Sequence, residues 1–426
     1  MRFQRGKQGL GILLSILALL LNYSPQARAL RDLPTELTLR QGQSRELDLG
    51  LPMSVTMAGA EDEGAVLALS SSDETLNRAQ SVRIQAEAEG NAKVNFSFLG
   101  MTLKALDVKV EPERVIVPGG RAIGVALFTN GVLVVGTSEI GGAQGGSPAV
   151  EAGLKPGDLI QSVDNQPVLS AVDLTERVNA SAGDEIELRF LRKEQPMRAT
   201  IRPALDRLDG SYRLGIWVRD STAGVGTLSF YDPATRKYAA LGHAITDADT
   251  GTNLTVRQGR VLFSRIVDIQ KGLKGQPGEL RGSFDKGEEN QFGDIRRNND
   301  FGVSGQSDIL ITNPLYPNGL PVGSQATVRT GPASILTTLD DSGVKEYAIE
   351  ITKVNHQSEP APKSMTLLIT DPELLSRTGG IVQGMSGSPI LQDGHIIGAV
   401  THVYVNDPTQ GYGLFIEWML NQTDDL

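Results

Sequence analysis

Short runs in which apolar and polar residues alternate recur along most of the chain. Residues 46–49, 106–110 and 186–191 follow this pattern, and Gly, Asn, Asp and Pro cluster between such runs. Alternation over about four to eight residues predicts a strand with one buried face, and the intervening clusters predict turns. The pattern therefore predicts a mainly β protein.

The strand pattern also divides the chain into regions. Residues 33–110 read as a small β-sandwich-like domain that carries no candidate chemistry, so we expect a spacer or docking role for it. Residues 207–426 are again rich in predicted hairpins and contain every candidate catalytic group described below. Function is therefore expected to reside mainly in the second half of the chain.

The first 29 residues have the organisation of an export signal. Arg2, Arg5 and Lys7 precede an apolar run at 10–21, which is short for a membrane span, and residues 27–29 form a small-x-small cleavage-like site. We expect residues 1–29 to be a signal peptide or, if uncleaved, an N-terminal membrane anchor. Either interpretation places the protein outside the cytoplasm.

The composition limits the kinds of catalytic, metal and nucleic-acid-binding sites that the chain could contain. The chain has 426 residues, no Cys, four His and a formal net charge of −10. The lack of Cys excludes a thiol nucleophile, a thiolate metal site and disulfides, and so few His make a His-rich metal site improbable. The acidic balance argues against nucleic-acid binding. We expect neither a metal nor another cofactor.

One stretch resembles a PDZ domain. Residues 152–160 read Ala-Gly-Leu-Lys-Pro-Gly-Asp-Leu-Ile, and Ser170 to Asp173 forms a capping box that predicts a helix through about Asn179. The resemblance implies an α+β PDZ domain over residues 113–204 that binds an extended peptide at a strand edge. By the same resemblance, the loop that holds the ligand carboxylate comprises Gly120, Arg121, Ala122, Ile123, Gly124 and Val125.

Residues 384–389, Gly-Met-Ser-Gly-Ser-Pro, have the composition of a nucleophile turn. Gly384 and Gly387 flank Ser386 and permit a sharp turn that brings the backbone close to a substrate carbonyl. The N–H groups of Gly384 and Ser386 would then form an oxyanion hole. A plain Gly/Ser turn in a β protein is equally consistent with these six residues.

A nucleophilic Ser needs a base, and His is the usual one. His356 lies in a polar loop, His395 lies at a hairpin tip, and His402 reads as a packed strand residue. His243 follows a predicted strand end, where catalytic groups are commonly placed, although a core His remains an alternative. The carboxylate that would orient the base has five candidates: Asp247, Asp249, Asp340, Asp341 and Asp371.

Three segments together resemble the stage IV sporulation protein B family of serine peptidases. These segments are residues 231–247, 380–390 and 411–419. The resemblance implies a chymotrypsin-like β-barrel peptidase domain over 207–426, with Ser386 as nucleophile, His243 as base and Asp371 as orienting acid. Asp371 lies close to Ser386 in sequence, whereas ordinary chymotrypsin-like enzymes place this Asp well between the His and the Ser.

The resemblance also implies a biological role. Members of the family are secreted into the space between the forespore membranes and cleave themselves near the N-terminus. They then cleave the extracytoplasmic part of a membrane protein that inhibits an intramembrane metalloprotease, which leads to sigma-factor activation. Two alternatives remain open: an inactive PDZ scaffold that regulates a membrane protease complex, and a quality-control protease of the HtrA type. Domain order opposes the second, because in HtrA proteins the PDZ domain follows the protease.

Overall fold

The structure is a computed structural model that describes residues 31–426 except 32, 43, 59–65, 72–75, 142–145, 255, 285–289 and 358. The described residues form mostly β-strands, so the predicted mainly β fold is confirmed. They divide into two compact units. One ends at Arg114 and includes Pro321–Val328, and the other comprises Val115–Leu320 and Arg329–Leu426.

The first unit is built on one sheet. Its strands are β1 (Glu36–Arg40), β2 (Ser44–Ala58), β3 (Leu67–Ser70), β4 (Ala79–Ala86), β5 (Gly90–Phe98) and β6 (Met101–Glu111), with a 3-10 helix at Leu76–Arg78. The sheet order is β1-β6-β5-β2-β4-β3. The first part of β2 pairs with β4 and its last part with β5, so β2 joins two halves that enclose a common core including Leu49, Val82 and Phe96. This is the β-sandwich-like region that the alternating pattern predicts.

The second unit opens with a segment whose first and last long strands pair with each other. Its elements are β7 (Val115–Pro118), β8 (Ala122–Thr137), α1 (Pro148–Glu151), β9 (Leu159–Val163), β10 (Gln166–Pro167), α2 (Ala171–Ala180), β11 (Ile186–Arg192), β12 (Gln195–Ile201), β13 (Ala204–Leu205), β14 (Tyr212–Arg213) and β15 (Ile216–Tyr231). β8 and β15 run antiparallel, from Ala122 opposite Thr227 to Thr137 opposite Ile216. A long two-stranded ribbon therefore runs through this unit.

The elements between β8 and β15 form an α+β domain around one end of that ribbon. Its core includes Val134 of β8, Leu174 of α2 and Leu188 of β11. The Ser170 side chain accepts a hydrogen bond from the Asp173 N–H at 3.1 Å, so α2 begins where the predicted capping box places it. The predicted PDZ fold is confirmed.

The other end of the ribbon belongs to a second β core. The strands that follow are β16 (Lys237–Ala240), β17 (Val256–Phe263), β18 (Arg265–Gln270), β19 (Glu279–Ser283), β20 (Gln291–Ile295), β21 (Arg297–Asn299), β22 (Gly302–Gln306) and β23 (Leu320–Pro321). Ile123 and Leu127 of β8 pack in one core with Leu228 and Tyr238. Residues 115–128 therefore belong with the region after residue 226, and the predicted start of the PDZ domain at residue 113 is too early.

The same packing contradicts the predicted PDZ ligand loop. Gly120, Arg121, Ala122, Ile123, Gly124 and Val125 lie in or next to the buried start of β8, and of these six only Arg121 is exposed. β8 pairs here with β15 along one edge and with β17 along the other, with Val125 opposite Gly224 and Val261. Since both edges are occupied, this segment cannot receive a peptide strand, and the prediction is wrong.

The chain ends in a closed six-stranded barrel. Its elements are β24 (Gly331–Thr338), β25 (Val344–Val354), β26 (Met365–Ile369), α3 (Pro372–Thr378), β27 (Pro389–Gln392), β28 (His395–Tyr404) and β29 (Asp407–Phe415), followed by α4 (Ile416–Asp424). The barrel closes in the order β24-β25-β26-β29-β28-β27. The β-barrel predicted for the C-terminal region is thereby confirmed.

The N-terminal signal or anchor predicted at residues 1–29 lies outside the described residues. Within the part of the chain that the structure describes, no helix has both the length and the apolar character needed to cross a membrane.

Candidate active site

Ser386 lies in the turn between α3 and β27, and two glycines set the shape of this turn. Gly384 and Gly387 have φ values of +94° and +95°, in the left-handed region that favours glycine. A Cβ atom on Gly387 would lie 2.2 Å from the Thr227 carbonyl oxygen and 2.4 Å from the Leu241 nitrogen. Only glycine therefore allows the turn to approach these two backbone segments so closely.

Hydrogen bonds with β15 and β28 hold the turn from two sides. The Thr227 N–H donates to the Ser386 carbonyl at 3.1 Å, and Thr227 Oγ1 donates to the Gly384 carbonyl at 2.7 Å. On the other side, the Gly387 N–H donates to the Val400 carbonyl at 2.7 Å. The turn is therefore fixed between the ribbon strand β15 and the closed barrel.

Two N–H groups of the turn are left without an acceptor. Among the described residues, neither the Gly384 N–H nor the Ser386 N–H makes a hydrogen bond. Backbone N–H groups in proteins normally have a hydrogen-bond acceptor. Two N–H groups without one, next to a serine hydroxyl, are therefore suited to bind the oxyanion that forms when the serine attacks a carbonyl. The oxyanion-hole prediction for Gly384 and Ser386 remains a prediction, with this geometry in its favour.

The chain turns sharply between the end of β16 and His243. Leu241 and Gly242 both have positive φ values, +72° and +71°, and such a conformation is strained for leucine. The turn is held beyond His243 by Asn298, whose side chain accepts from the Ile245 N–H at 2.7 Å and donates to the Ile245 carbonyl at 2.9 Å. His243 Nδ1 lies 2.8 Å from the Ala244 carbonyl oxygen. When Nδ1 carries the proton in this contact, Nε2 is left as the basic atom.

One cavity of about 790 Å³ contains both predicted groups. Its lining includes His243 and Ser386 together with His402 and the apolar side chains of Leu241 and Val382. The Ser386 hydroxyl donates to the Thr401 carbonyl at 2.8 Å, so in this arrangement its proton does not point to His243. Catalytic hydrogen bonds in unliganded enzymes are often open in this way and form only with substrate.

The structure does not bring Asp371 to this cavity. Asp371 is the N-cap of α3: its Oδ1 accepts the Leu374 N–H at 3.0 Å, and its Oδ2 lies 3.4 Å from the Ala348 N–H. Neither carboxylate oxygen contacts His243 among the described residues. The fold thus gives Asp371 a structural role, and its predicted role as the orienting acid gains no support from this geometry.

Two substitutions of Asp371 separate these roles. Asn caps helices as well as Asp does, so Asp371→Asn should leave the melting temperature unchanged, whereas Asp371→Ala should lower stability by about 1 kcal/mol. Thermal unfolding of both variants measures the cap. Turnover of Asp371→Asn then measures the acid role by itself: a loss of several orders of magnitude would support it, and unchanged turnover would leave the cap as the function of Asp371.

The other candidate carboxylates are engaged in ion pairs away from His243. Asp340 pairs with Arg377 at 2.6 Å, Asp341 with Arg265 at 2.6 Å, and both Asp247 and Asp249 pair with Arg219. Burial raises the pKa of the Asp247 carboxyl, but hydrogen bonds from Thr250 and Arg219 outweigh it and hold this pKa below its ordinary value. These four groups are therefore best explained as parts of the scaffold.

Sequence reasoning missed several residues that build the site. Thr227 and Thr401 hold the serine turn, Asn298 holds the loop after His243, and Asp300 is the one carboxylate that lines the cavity among the described residues. Thr227, Asn298 and Asp300 lie far from residues 384–389 in sequence. No local pattern could have identified them, because their contacts depend on how distant strands pair.

Two models of known families match parts of this chain. Residues 210–420 match the model of the SpoIVB peptidase S55 family, and residues 139–192 match a PDZ domain model. His243 and Ser386 both fall within the first match. The PDZ match lies inside the α+β domain described above.

Single relatives are similar over shorter stretches. A candidate serine protease of Synechocystis, HhoB, is 32% identical over 26% of this chain and 25% of its own length. A candidate zinc metalloprotease of Lactococcus lactis is 30% identical over 29% of this chain and 27% of its own length. The chain therefore spans only about a quarter of the length of these curated relatives.

Solved structures are likewise similar to only part of this chain. The PDZ domain of an SdrC-like protein from Listeria monocytogenes is 22% identical, with a TM-score of 0.19, over 21% of this chain and 90% of that chain. The Rv3671c protease from M. tuberculosis is 14% identical, with a TM-score of 0.25, over 58% of this chain and 84% of that chain. Together, the two family matches show that this chain carries a peptidase domain of the SpoIVB S55 family at residues 210–420 and a PDZ domain at residues 139–192.

Proposed function

We propose that the chain is a serine endopeptidase that works outside the cytoplasm in a sporulation signalling cascade, with Ser386 as nucleophile and His243 as base. The observation that carries the assignment is the shared cavity, which His243 and Ser386 both line beside two free N–H donors. A nucleophile, a base and oxyanion donors around one space are the groups that acyl transfer requires.

The reaction follows from these groups. When a peptide occupies the cavity, the Ser386 hydroxyl turns away from the Thr401 carbonyl and gives its proton to His243 Nε2 while Oγ attacks the scissile carbonyl. The N–H groups of Gly384 and Ser386 hold the oxyanion, and His243 then protonates the leaving amine. Water, deprotonated by the same imidazole, hydrolyses the acyl-enzyme and restores Ser386.

The proposed substrates are the chain itself and the extracytoplasmic part of a membrane-bound regulator of an intramembrane metalloprotease. The match of residues 210–420 to the SpoIVB family supports this choice, and the basic and apolar N-terminus supports export. Cleavage of the regulator would release the metalloprotease and lead to sigma-factor activation.

The PDZ domain is proposed to bind a peptide along the open edge of β15 near α2. Ile216 to Arg219 pair with β8 on one side, and no described strand pairs with the other side there. α2 lies next to this edge, since the Ala171 N–H donates to Asp220 Oδ2 at 2.8 Å. Strand addition at such an edge is how PDZ domains bind peptides.

Cleavage in trans tests the proposed function. Purified wild-type chain is mixed with a tagged Ser386→Ala chain, or with the purified extracytoplasmic domain of the regulator, and the products are identified by N-terminal sequencing. We expect wild type to cut both at defined sites and Ser386→Ala alone to cut neither. Binding without cleavage would favour the scaffold alternative, and unselective cutting of unfolded casein would favour a quality-control role.

A further inference from the structure

A second imidazole lies against the predicted base. The ring centroids of His243 and His402 are 5.3 Å apart, and the ring planes are inclined by 41°. Both rings line the cavity that contains Ser386. This separation and tilt are typical of a packed pair of aromatic rings.

An irregularity in β28 accompanies the placement of His402. Val400 stands opposite Gly413 and His402 opposite Tyr412 on β29, so Thr401 is an extra residue on β28. Such bulges are common beside active sites, where they re-aim a side chain. Here the carbonyl of Thr401 receives the Ser386 hydroxyl, and the next side chain, His402, reaches His243.

Few other contacts fix the His243 ring. Its one hydrogen bond among the described residues is the Nδ1 contact to the Ala244 carbonyl. Asp371 caps α3, and Asp247 pairs with Arg219. The His402 ring packs against the His243 ring and can therefore limit its rotation.

We propose that His402 is a positioning residue, which holds the His243 ring in line with Ser386 through ring packing. Thr401, the preceding residue on β28, holds the Ser386 hydroxyl. This rests on the proposed roles of Ser386 and His243. The proton passes from Ser386 Oγ to His243 Nε2 and then to the leaving amine, and His402 neither gains nor loses one.

The surroundings keep His402 uncharged at neutral pH. Partial removal from water lowers the pKa of its imidazole, and the positive charges of His243 and Lys363 lower this pKa further. A neutral ring does not repel the imidazolium that forms on His243 during the reaction.

Two substitutions and two controls test the proposal in the purified full chain. His402→Ala removes the ring, and His402→Phe keeps a flat ring but removes both nitrogens. His395→Ala is the matched control, since His395 lies at the other end of β28 and does not line the cavity. Ser386→Ala is measured in parallel. The readouts are the rate of labelling by a rhodamine fluorophosphonate, kcat and KM on a fluorescent peptide that spans the site at which wild type cuts the tagged Ser386→Ala chain, and the melting temperature.

We expect His402→Ala to lower kcat and the labelling rate by about 10- to 100-fold, because small misplacement of a catalytic group has effects of this size. KM and the melting temperature should change little, and His402→Phe should recover most of the lost rate. The inference is wrong if His402→Ala matches His395→Ala, or if a folded His402→Phe is as slow as His402→Ala. If Ser386→Ala itself retains labelling and cleavage, the proposed function fails instead.

Discussion

Replacing His243 with alanine should reduce turnover by on the order of 10⁴- to 10⁶-fold, since removing the base of a serine nucleophile costs about this much. The physical reason is the environment of Ser386: its hydroxyl donates to the Thr401 carbonyl, which can accept a hydrogen bond but cannot take the proton at neutral pH. Without the His243 imidazole, the hydroxyl loses the group that is proposed to take its proton.

The measurement is the rate of proteolysis together with the rate of fluorophosphonate labelling, both at neutral pH. His356→Ala serves as the control, because His356 is exposed in a loop and does not line the cavity. Loss of labelling in His243→Ala with an unchanged melting temperature supports the assignment. If His243→Ala labels as fast as the control, the base must be sought elsewhere, and His402 is the other imidazole of the cavity.

Substituting Gly387 by alanine should abolish activity by deforming the turn. An alanine at φ +95° is strained by about 1–3 kcal/mol. Its Cβ would in addition approach the Thr227 carbonyl oxygen to 2.2 Å, so the turn must move away from β15. That shift would break the hydrogen bonds of Thr227 and displace both free N–H donors, so we expect a loss of at least about 100-fold in kcat.

Gly343→Ala provides the matched control for this steric argument. Gly343 has a φ of +90°, close to that of Gly387, but an added Cβ would meet nothing within 4 Å. Both variants therefore carry the backbone strain, and only Gly387→Ala carries the clash. Equal activity of the two variants would show that the close approach to Thr227 is not needed for catalysis.

The sequence predicts those parts of the fold that depend on local patterns. Alternation predicts the strands, the capping box places the start of α2 at Ser170, and the glycines around Ser386 predict a tight turn. Each of these depends on a few neighbouring residues, whose preferences act over one turn or one strand. The mainly β architecture could therefore be predicted without coordinates.

The error at Gly120–Val125 has a long-range cause. A glycine-containing stretch just before an apolar run resembles a ligand loop, but β8 continues without interruption from Ala122 to Thr137. Its first half is buried between β15 and β17, and its partners Thr227 and Val261 on these strands lie far along the chain from Ala122 and Val125. Strand pairing at such separations leaves no local signal, so the PDZ groove could not be placed from sequence.

Long-range strand pairing also limits what the sequence predicts about the site. Residues 384–389 identify the serine, but the bulge at Thr401 that turns His402 toward His243 exists only because β28 pairs with β29 out of register. His402 therefore reads as an ordinary strand residue in the sequence. For Asp371, the same sequence pattern fits two roles. A position at the end of a strand and before a proline fits a rigidly held catalytic acid, and it fits the N-cap of α3 equally well.

Ser386 is the proposed nucleophile of this cavity. Ser388 is the natural comparison, since it lies two residues away with its hydroxyl buried and without a hydrogen-bond partner among the described residues. The direct measurement is to react the purified chain with a fluorophosphonate and to locate the adduct by mass spectrometry. We expect a single adduct on Ser386, which is absent in Ser386→Ala and retained in Ser388→Ala. An adduct on any other residue, or equal labelling of Ser386→Ala, would contradict it.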